Sequence, residues 1–372
     1  MLVLHVIRDL FSHGGTPKKL LGLVKASTDS DVQHSFMVFD DTSETLVDEF
    51  RAAGASVVAY SRKSAFDPRL VVDIAHSARS MNADVIATHF ARADVLGAIA
   101  GHMLGVPVVK HVHGIIVNEH TLVRFADRAV APYRAAVVCN SEATMAAELK
   151  RNGTAHMQVV LNGVDEMPPP SSGAREQVRA ELGISPEEYV IGHVGGLIPS
   201  RDQHLLIEAT AQLRARGVPA RCLLVGDGPE AARLEAVAED VGVARWVLFR
   251  GYCRDVPELL AAMDVYVNMS RAEGFGIAVV EAMRAGLPVV VANAGALPEL
   301  VTDGVEGFLA AVGDLEALTA HLAHLSDPEV RSVMGEHSLT TGYSERFAVR
   351  RFAAEINGVY RRVGRQSGAQ YR

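Results

Sequence analysis

The sequence has few cysteines and no cysteine or histidine spacing typical of a metal site. Its three cysteines, Cys139, Cys222 and Cys253, are odd in number and lie in or beside hydrophobic runs, as buried thiols do in a reducing compartment. A Gly-x-Ser-x-Gly motif is also missing, which argues against a hydrolase nucleophile elbow. We therefore expect no disulfide framework, no metal site and a cytoplasmic location.

The sequence also lacks an excess of basic residues and any long apolar run. Lysine and arginine total 36 against 44 aspartate and glutamate residues, a net charge of -8 at pH 7, which disfavours nonspecific attraction to nucleic acid or to an anionic membrane. No segment approaches the roughly 18 consecutive apolar residues of a membrane span, and the N-terminus has no basic region typical of a signal peptide. We expect no nucleic-acid partner and no transmembrane segment, whereas a peripheral membrane contact stays compatible with this composition.

Short apolar runs alternate with longer amphipathic stretches, which predicts βαβ units and an α/β fold with parallel sheets. At 372 residues and 49% hydrophobic content, the chain suits two domains in series. The predicted strands are residues 2–7, 35–39, 56–59, 85–88, 108–112, 136–139 and 158–161 in the first half, then 190–194, 221–225, 247–249, 265–268 and 288–292 in the second.

A proline-rich stretch divides the two series. Residues 168–173 read Pro-Pro-Pro-Ser-Ser-Gly, which cannot continue a helix or an interior strand. We therefore predict domains at residues 1–167 and 174–343, followed by a final segment, 344–372, with an amphipathic helix from Ser344 to Val363.

In parallel sheets, ligands bind beyond the carboxyl ends of the strands. In the first half these positions hold Gly14 and Gly15, which lead into a helix predicted to begin at Thr16-Pro17, and the histidines His89 and His113. A glycine pair lets a phosphate or sugar approach the backbone, and histidine can bond a sugar hydroxyl. Each feature also fits a plain turn or a structural histidine, and His111, inside its strand, is interpreted as structural.

In the second half, Gly195-Gly196 and the following Arg201 lie between a strand and a helix, where a cation can meet a diphosphate. A solvated arginine in a loop is the alternative. The strongest pattern runs from Arg271 to Glu281, with Glu273 in a loop and Glu281 on a helix predicted to begin near Gly276. Two such carboxylates suit vicinal hydroxyl groups, although a glutamate near a helix N-terminus also complements the helix dipole.

A dinucleotide-binding dehydrogenase is a poor fit. Asp40-Asp41 follows the second predicted strand as a ribose-binding acid would, but the stretch after Gly14-Gly15 lacks the third glycine of G-x-G-x-x-G. Asp41 and Thr42 are better interpreted as the cap of the next helix.

The pattern Glu273-Gly-Phe-Gly…Glu281-Ala-Met…Gly286-Leu-Pro-Val-Val resembles the EX7E signature of family 4 glycosyltransferases, which have the GT-B fold. Further matching motifs, in order along the chain, are Gly14-Gly15, His113-Gly114, Asn140-Ser-Glu142, Asn162-Gly-Val-Asp165, Val225-Gly-Asp-Gly-Pro229 and Phe249-Arg-Gly251. The resemblance implies two Rossmann-like domains with parallel sheets facing across a cleft, an acceptor-side N-terminal domain, a nucleotide-sugar-binding C-terminal domain, and a terminal helix that crosses back onto the first.

The resemblance also implies roles for individual residues. Glu281 would hold the nucleotide ribose, and Glu273, with the backbone of Gly274, Phe275 and Gly276, would hold the donor sugar. His113 would touch the donor sugar or the reacting region. The diphosphate would meet Gly15 and its neighbour Gly14, and the loop from Gly251 to Arg254 would meet the base. His89 and Asn162 are the acceptor-side candidates.

The sequence departs from the family at the diphosphate. Where the family commonly has an arginine this chain has Gly196, and Arg201 takes the place of the family's lysine. Losing one charge-assisted contact costs about 1.5 to 3 kcal/mol unless another group substitutes. Arg271 and Arg254 are the candidate substitutes.

The expected activity is a retaining, metal-independent sugar transfer from a nucleoside-diphosphate donor, with UDP favoured by analogy and no further cofactor. The acceptor stays open between small-molecule, lipid-linked and saccharide hydroxyls, and the sequence does not fix the oligomeric state. A nucleotide-sugar epimerase or hydrolase of the same fold, and a non-catalytic sugar-nucleotide-binding protein, are the alternatives.

Overall fold

A computed structural model of the chain describes residues 1–11, 15–39, 45–60, 67–115, 121–153, 156–165, 171–253 and 255–370, with no account of the side chains of 367–370. The chain divides into two compact units. Unit 1 comprises Met1–Asp165 and Glu345–Arg372, and unit 2 comprises Glu166–Ser344. Of the linker predicted at 168–173, only residues 171–173 are described.

Unit 1 is built on a seven-stranded parallel sheet in the order β3-β2-β1-β4-β5-β6-β7. Its strands are β1 (Leu2–Ile7), β2 (Gln33–Val38), β3 (Ser56–Ala59), β4 (Val85–His89), β5 (Val108–Val112), β6 (Arg134–Cys139) and β7 (Met157–Val159). The strand order reverses between β1 and β4, so the loops after these two strands open a crevice at the carboxyl edge.

Unit 2 repeats the plan with a six-stranded parallel sheet in the order β10-β9-β8-β11-β12-β13. Its strands are β8 (Tyr189–Val194), β9 (Ala220–Val225), β10 (Val247–Gly251), β11 (Val265–Asn268), β12 (Val289–Ala292) and β13 (Gly307–Ala310). The order reverses between β8 and β11, which places a second crevice beyond Val194 and Asn268.

α-Helices connect successive strands except β12 and β13, which a 3-10 turn at Leu297–Glu299 joins. They are α1 (Gly15–Ala26), α2 (Val47–Ala52), α3 (Arg69–Ser80), α4 (Phe90–Leu104), α5 (Thr121–Val130), α6 (Glu142–Asn152), α7 (Ala174–Glu181), α8 (His204–Ala215), α9 (Ala231–Asp240), α10 (Val256–Ala261), α11 (Ile277–Arg284), α12 (Leu315–His324), α13 (Pro328–Gly342) and α14 (Val349–Gln370). Among the described residues, no helix is long and apolar enough to cross a membrane.

The predicted α/β class with two parallel-sheet, Rossmann-like units is confirmed. Most predicted strands lie within one or two residues of the observed bounds, but β13 was not predicted. The helix α1 begins at Gly15, one or two residues before the start predicted at Thr16-Pro17. The last helix begins at Val349, after a short 3-10 turn at Glu345–Phe347, rather than at residue 344.

The last helix, α14, completes the core of unit 1. Phe352, Ile356 and Tyr360 are at most 2% exposed and pack with side chains of β1, β2 and α1. Gly163 makes this packing feasible, since a Cβ there would lie 2.6 Å from the Cα of Val349. The Asn162-Gly163 pair therefore serves the close approach of a helix as well as a change of chain direction.

Candidate functional site

In unit 2, two loops meet at the point where the strand order reverses. The loop after β8 contains Gly196 and Arg201, and the loop after β11 contains Glu273. The Arg271 N–H donates to the Ser200 carbonyl at 2.9 Å, which ties the two loops together. The sequence-predicted residues Arg201, Arg271 and Glu273 are thus brought to one edge of one sheet.

Neighbouring loops fix the backbone of this edge. The Gly195 N–H donates to Val225 of β9 at 2.9 Å, and the Ala296 N–H, beyond β12, donates to the Glu273 carbonyl at 2.9 Å. Gly226 has a φ of +136° and lies so close that its Cβ would stand 2.1 Å from the Gly195 oxygen. Glycine is needed there because no side chain fits that space.

Arg201 and Glu273 face each other. Nη1 of Arg201 lies 3.5 Å from Oε2 of Glu273, and the two side chains are 25% and 17% exposed. Both charges therefore stand at the rim of the crevice, partly shielded from water and accessible to a ligand. A cation beside a carboxylate can bind a phosphate and a sugar hydroxyl at adjacent positions.

Glu281 lies on α11, the helix that follows the Glu273 loop. The Tyr266 hydroxyl of β11 donates to the Val194 carbonyl at 3.1 Å, at the end of β8. Burial raises the pKa of this phenol; Arg201 lowers it, while Glu273 and Glu281 raise it further. The charges of Arg201, Glu273 and Glu281 thus all act on this one buried hydroxyl.

The Gly274-Phe275-Gly276 turn connects the two glutamates. All three residues are buried, and Gly276 takes a φ of +100° directly before α11 begins. This left-handed conformation suits glycine and turns the chain so that the first amides of α11 face outward from the helix end. The helix dipole favours an anion at this end of α11.

The candidate substitutes for the missing arginine differ in what the structure describes of them. Arg271 is held by Asp202, with Nε and Nη2 donating to its carboxylate at 2.6 and 2.7 Å. Its charge is therefore already paired, although the side chain is 61% exposed. Arg254 lies outside the described residues.

Two further predicted loops lie at this edge. The Gly226 N–H donates to the Gly251 carbonyl at 2.9 Å, and the Tyr252 N–H donates to Asp227 Oδ2 at 2.8 Å. The Gly251 loop, predicted to meet the nucleotide base, is thereby anchored to the loop after β9.

Sequence reasoning missed His193, a buried histidine of β8. Its Nδ1 donates to the Val267 carbonyl at 2.8 Å, and its Nε2 has no hydrogen-bond partner within the described residues. Burial, followed by the nearby charge of Arg201, lowers its pKa to about 4, so the ring is neutral. An inward-facing polar residue in an otherwise apolar strand was the available signal.

Unit 1 brings several predicted residues to its own carboxyl edge. Gly15 begins α1, whereas Gly14 lies outside the described residues. Lys19 Nζ lies 3.0 Å from His113 Nδ1 and donates to Asn162 Oδ1 at 3.0 Å. Asn140 Nδ2 donates to the His113 carbonyl at 3.0 Å, which fixes the backbone of this loop. Lys19 was not predicted as a site residue.

His89 stands behind His113 rather than at the surface. It is 0% exposed, its Nδ1 lies 2.8 Å from His113 Nε2, and its Nε2 lies 2.9 Å from His5 Nδ1. Neither ring nitrogen of His89 is open to a ligand in this arrangement. Both ring nitrogens of His113 also have hydrogen-bonding partners, so only its ring face and its backbone are available to a ligand.

Comparison with known proteins decides the family. The sequence profile described as "Glycosyl transferases group 1" matches residues 174–339, and the profile "Glycosyltransferase Family 4" matches residues 14–167. The chain belongs to the family 4 glycosyltransferases. The family resemblance inferred from the EX7E pattern is thereby confirmed, and it extends over both units of this glycosyltransferase.

Relatives of this glycosyltransferase act on different molecules. The N-acetyl-alpha-D-glucosaminyl L-malate synthase of Bacillus anthracis is 28% identical over 306 residues, 79% of each chain. The UDP-Gal:alpha-D-GlcNAc-diphosphoundecaprenol alpha-1,3-galactosyltransferase of Escherichia coli is 26% identical over 267 residues, 68% of this chain and 69% of its own. The crystal structure of Anabaena HepE in complex with UDP and glucose matches with a TM-score of 0.85 and 27% identity, over 96% of this chain and 99% of that chain.

Proposed function

We propose that this glycosyltransferase moves a sugar from a UDP-sugar to an acceptor hydroxyl, with retention of anomeric configuration and without a metal ion. One observation carries the proposal: Arg201 and Glu273 face each other at the strand-order reversal of unit 2, and their charges and that of Glu281 all act on the buried Tyr266 hydroxyl. Such a set offers a cation for a diphosphate and two carboxylates for hydroxyl groups.

Each residue has a role in the proposed complex. Glu281 accepts the vicinal ribose hydroxyls, and Glu273 accepts hydroxyls of the donor sugar. Arg201 and the first amides of α11 stabilise the diphosphate, and this positive set replaces the metal ion of metal-dependent transferases. The UDP complex of HepE, a protein similar to this chain over nearly its whole length, supports UDP as the donor nucleotide.

Retention follows in the proposal from a reaction on one face of the sugar. The bond from the anomeric carbon to the phosphate oxygen breaks, and the bond to the acceptor oxygen forms on the same side. The acceptor proton passes to the departing phosphate oxygen. Positive charge at the phosphate lowers the barrier because negative charge develops there as the bond breaks.

We propose a lipid-linked hydroxyl as the acceptor class, with His89 and Asn162 on the acceptor side as positioning residues. On α5, Leu122 and Phe125 are 79% and 74% exposed, and the side chains of Arg124 and Arg128 are also exposed. Exposed apolar side chains beside basic ones are typical of helices that lie on anionic membranes. The acceptor named for the Escherichia coli relative is itself lipid-linked, which agrees with this choice.

A thermal-shift screen of UDP-, GDP- and ADP-sugars tests the donor site, since a ligand that binds the folded state raises the melting temperature. We expect the largest shift with a UDP-sugar, and its loss in Glu281→Ala. Glu235→Ala, an exposed glutamate of α9, is the matched control and keeps the shift. An undiminished shift in Glu281→Ala would remove that residue from the site.

Product analysis separates the remaining parts of the proposal. The anomeric proton coupling of the product, measured by NMR, reports retention, and an inverted product overturns it. Activity that survives a chelator supports metal independence, and its loss with recovery on metal addition overturns it. Turnover of the donor into an epimer or free sugar in the presence of acceptor favours an epimerase or hydrolase instead.

A further inference from the structure

Four histidines of unit 1 form one continuous line of ring-to-ring contacts, here called the histidine chain: His34, His5, His89 and His113. His34 Nδ1 lies 2.9 Å from His5 Nε2, His5 Nδ1 lies 2.9 Å from His89 Nε2, and His89 Nδ1 lies 2.8 Å from His113 Nε2. Every link thus joins a δ nitrogen to an ε nitrogen. The chain crosses β2, β1 and β4 beneath α1 and α14.

Each end of the histidine chain meets a group that can change its hydrogen-bonding role. At the carboxyl edge, His113 Nδ1 lies 3.0 Å from Lys19 Nζ. At the other end, His34 Nε2 lies 3.2 Å from the Ser27 hydroxyl. A lysine accepts a hydrogen bond only when neutral, whereas a hydroxyl can donate or accept in either state.

A neutral histidine carries a proton on one ring nitrogen and a lone pair on the other. In a line of δ-to-ε links, all four rings must therefore adopt the same tautomer. When Lys19 is charged, it donates to His113 Nδ1, and every ring holds its proton on Nε2. When Lys19 is neutral and accepts, every ring holds its proton on Nδ1.

We propose that Lys19, the histidine chain and Ser27 form a proton relay, in which loss or gain of a proton at Lys19 reverses every hydrogen bond along the line. On deprotonation, Lys19 gives a proton to His113 Nδ1, and each ring passes its Nε2 proton to the next Nδ1. His34 passes its proton to the Ser27 oxygen, and the hydroxyl proton of Ser27 goes to water. Lys19 ends neutral, the four rings stay neutral, and one proton reaches solvent.

The exit lies near the surface on the amino side of the sheet. Ser27 is 5% exposed, and its oxygen accepts from Asn357 Nδ2 of α14 at 2.9 Å. Asn357 Nδ2 in turn lies 3.5 Å from the hydroxyl of Ser30, a half-buried residue beside exposed Asp31. The relay thus connects the carboxyl edge of unit 1, where His113 is expected to touch the reactants, with water at the opposite edge.

The surroundings make Lys19 the group of this cluster that titrates near neutrality. Burial lowers the pKa of Lys19 to about 7, and its Nζ contacts His113 and Asn162, neither of which carries a negative charge. Burial likewise lowers the pKa of His5, His89 and His113 well below 6.5, and that of His34 to about 4. The rings therefore relay a proton without holding a charge.

Other titratable groups lie on the elements that pack around this line. From β5, His111 has a pKa lowered by burial to about 3 and lies 2.8 Å from the Tyr360 hydroxyl of α14, whose own pKa burial raises. From the loop after β7, Asp165 packs against Gly22 of α1. From α14, Arg351 donates to the Leu161 carbonyl at 2.7 Å. His111 is not a member of the line, because both links of His89 are to other rings.

Nitrogen NMR of histidine-labelled protein tests the relay without any substrate, so its outcome is independent of the proposed activity. The shifts of Nδ1 and Nε2 report which nitrogen holds the proton. We expect all four rings to change tautomer together, at one midpoint shared with Lys19. Fixed tautomers through the lysine titration, or four separate midpoints, overturn the proposal.

Variants separate conduction from support of the fold. His5→Gln keeps one hydrogen-bond donor and one acceptor, but an amide cannot move a proton from one nitrogen to another. The line is therefore interrupted at this position, and His34 should no longer change its tautomer when Lys19 titrates. His111→Gln, an equally buried substitution beside the line, should leave it intact. Lys19→Met should abolish the change in all four rings. A His34 change that persists in Lys19→Met overturns the proposal, and melting curves identify any variant that fails to fold.

Discussion

Position 196 offers a direct test of how the diphosphate is held. Gly196 is exposed, its φ lies outside the left-handed region, and a Cβ there would meet nothing closer than the Asp227 carbonyl at 3.7 Å. Its carbonyl is fixed by the Gln203 side chain at 2.9 Å. A larger residue therefore fits without strain, and Gly196→Arg places a second cation close to Arg201.

The expected gain follows from the chemistry of that cation. One charge-assisted hydrogen bond contributes about 1.5 to 3 kcal/mol, which corresponds to roughly 10-fold to 150-fold in affinity. Since position 196 is exposed, solvent screening favours the lower end of this range. We expect Gly196→Arg to bind UDP about 10-fold more tightly than the unchanged protein, and the gain to shrink as salt is added.

Isothermal titration calorimetry with UDP measures this effect. Gly196→Met is the matched control, because it adds a side chain of similar length without charge and should leave affinity within about 3-fold. Equal affinity in the arginine and methionine variants, with unchanged melting temperatures before ligand is added, would show that no phosphate lies near position 196. The role assigned to Arg201 would then fail as well.

Two further predictions concern unit 1. Unfolding restores the pKa of Lys19 from about 7 to 10.5, so between pH 7 and pH 10.5 the unfolded chain binds more protons than the folded protein does. The contribution of Lys19 to the free energy of unfolding therefore rises with pH over this range. The free energy of unfolding of Lys19→Met should therefore exceed that of the unchanged protein by the largest amount below about pH 7, as measured by urea denaturation. Lys18→Met, a variant of the exposed neighbour, is the control. A difference that does not change with pH, or an equal difference in Lys18→Met, would contradict this prediction. Replacing Leu122 and Phe125 by serine should reduce cosedimentation of the protein with vesicles of anionic lipid. The control is Val72→Ser, which changes an exposed residue of α3. Equal binding by all variants would show that α5 does not contact the membrane.

The sequence pattern predicted the parallel sheet of unit 2 and the family signature well, because the relevant residues are close along the chain. Glu273 and Glu281 belong to one loop and the helix that follows it, so local spacing alone predicts that they lie near each other. Arg201 follows a strand by a few residues, and its loop is short. The partner of Arg271 was not predictable, because Asp202 reaches it from the loop of a different strand.

The histidine chain shows the opposite case. His5, His34, His89 and His113 come from four separate places in the sequence and become neighbours only through the register of parallel strands. Each alone is a polar residue in an apolar surrounding, which most often indicates a structural histidine. Strand order and register depend on the whole sheet, so they cannot be predicted from single segments of the sequence.

The position of α14 in unit 1 has a consequence for how the protein is made. During synthesis the first 165 residues leave the ribosome early, but Phe352, Ile356 and Tyr360 of their core emerge only after all of unit 2. The earlier part of the chain must therefore wait with an uncovered apolar face, while the later part can already fold as a unit. Unit 1, at the start of the chain, should therefore complete its folding last. Chaperones that bind apolar surface of nascent chains should be needed most for this N-terminal half.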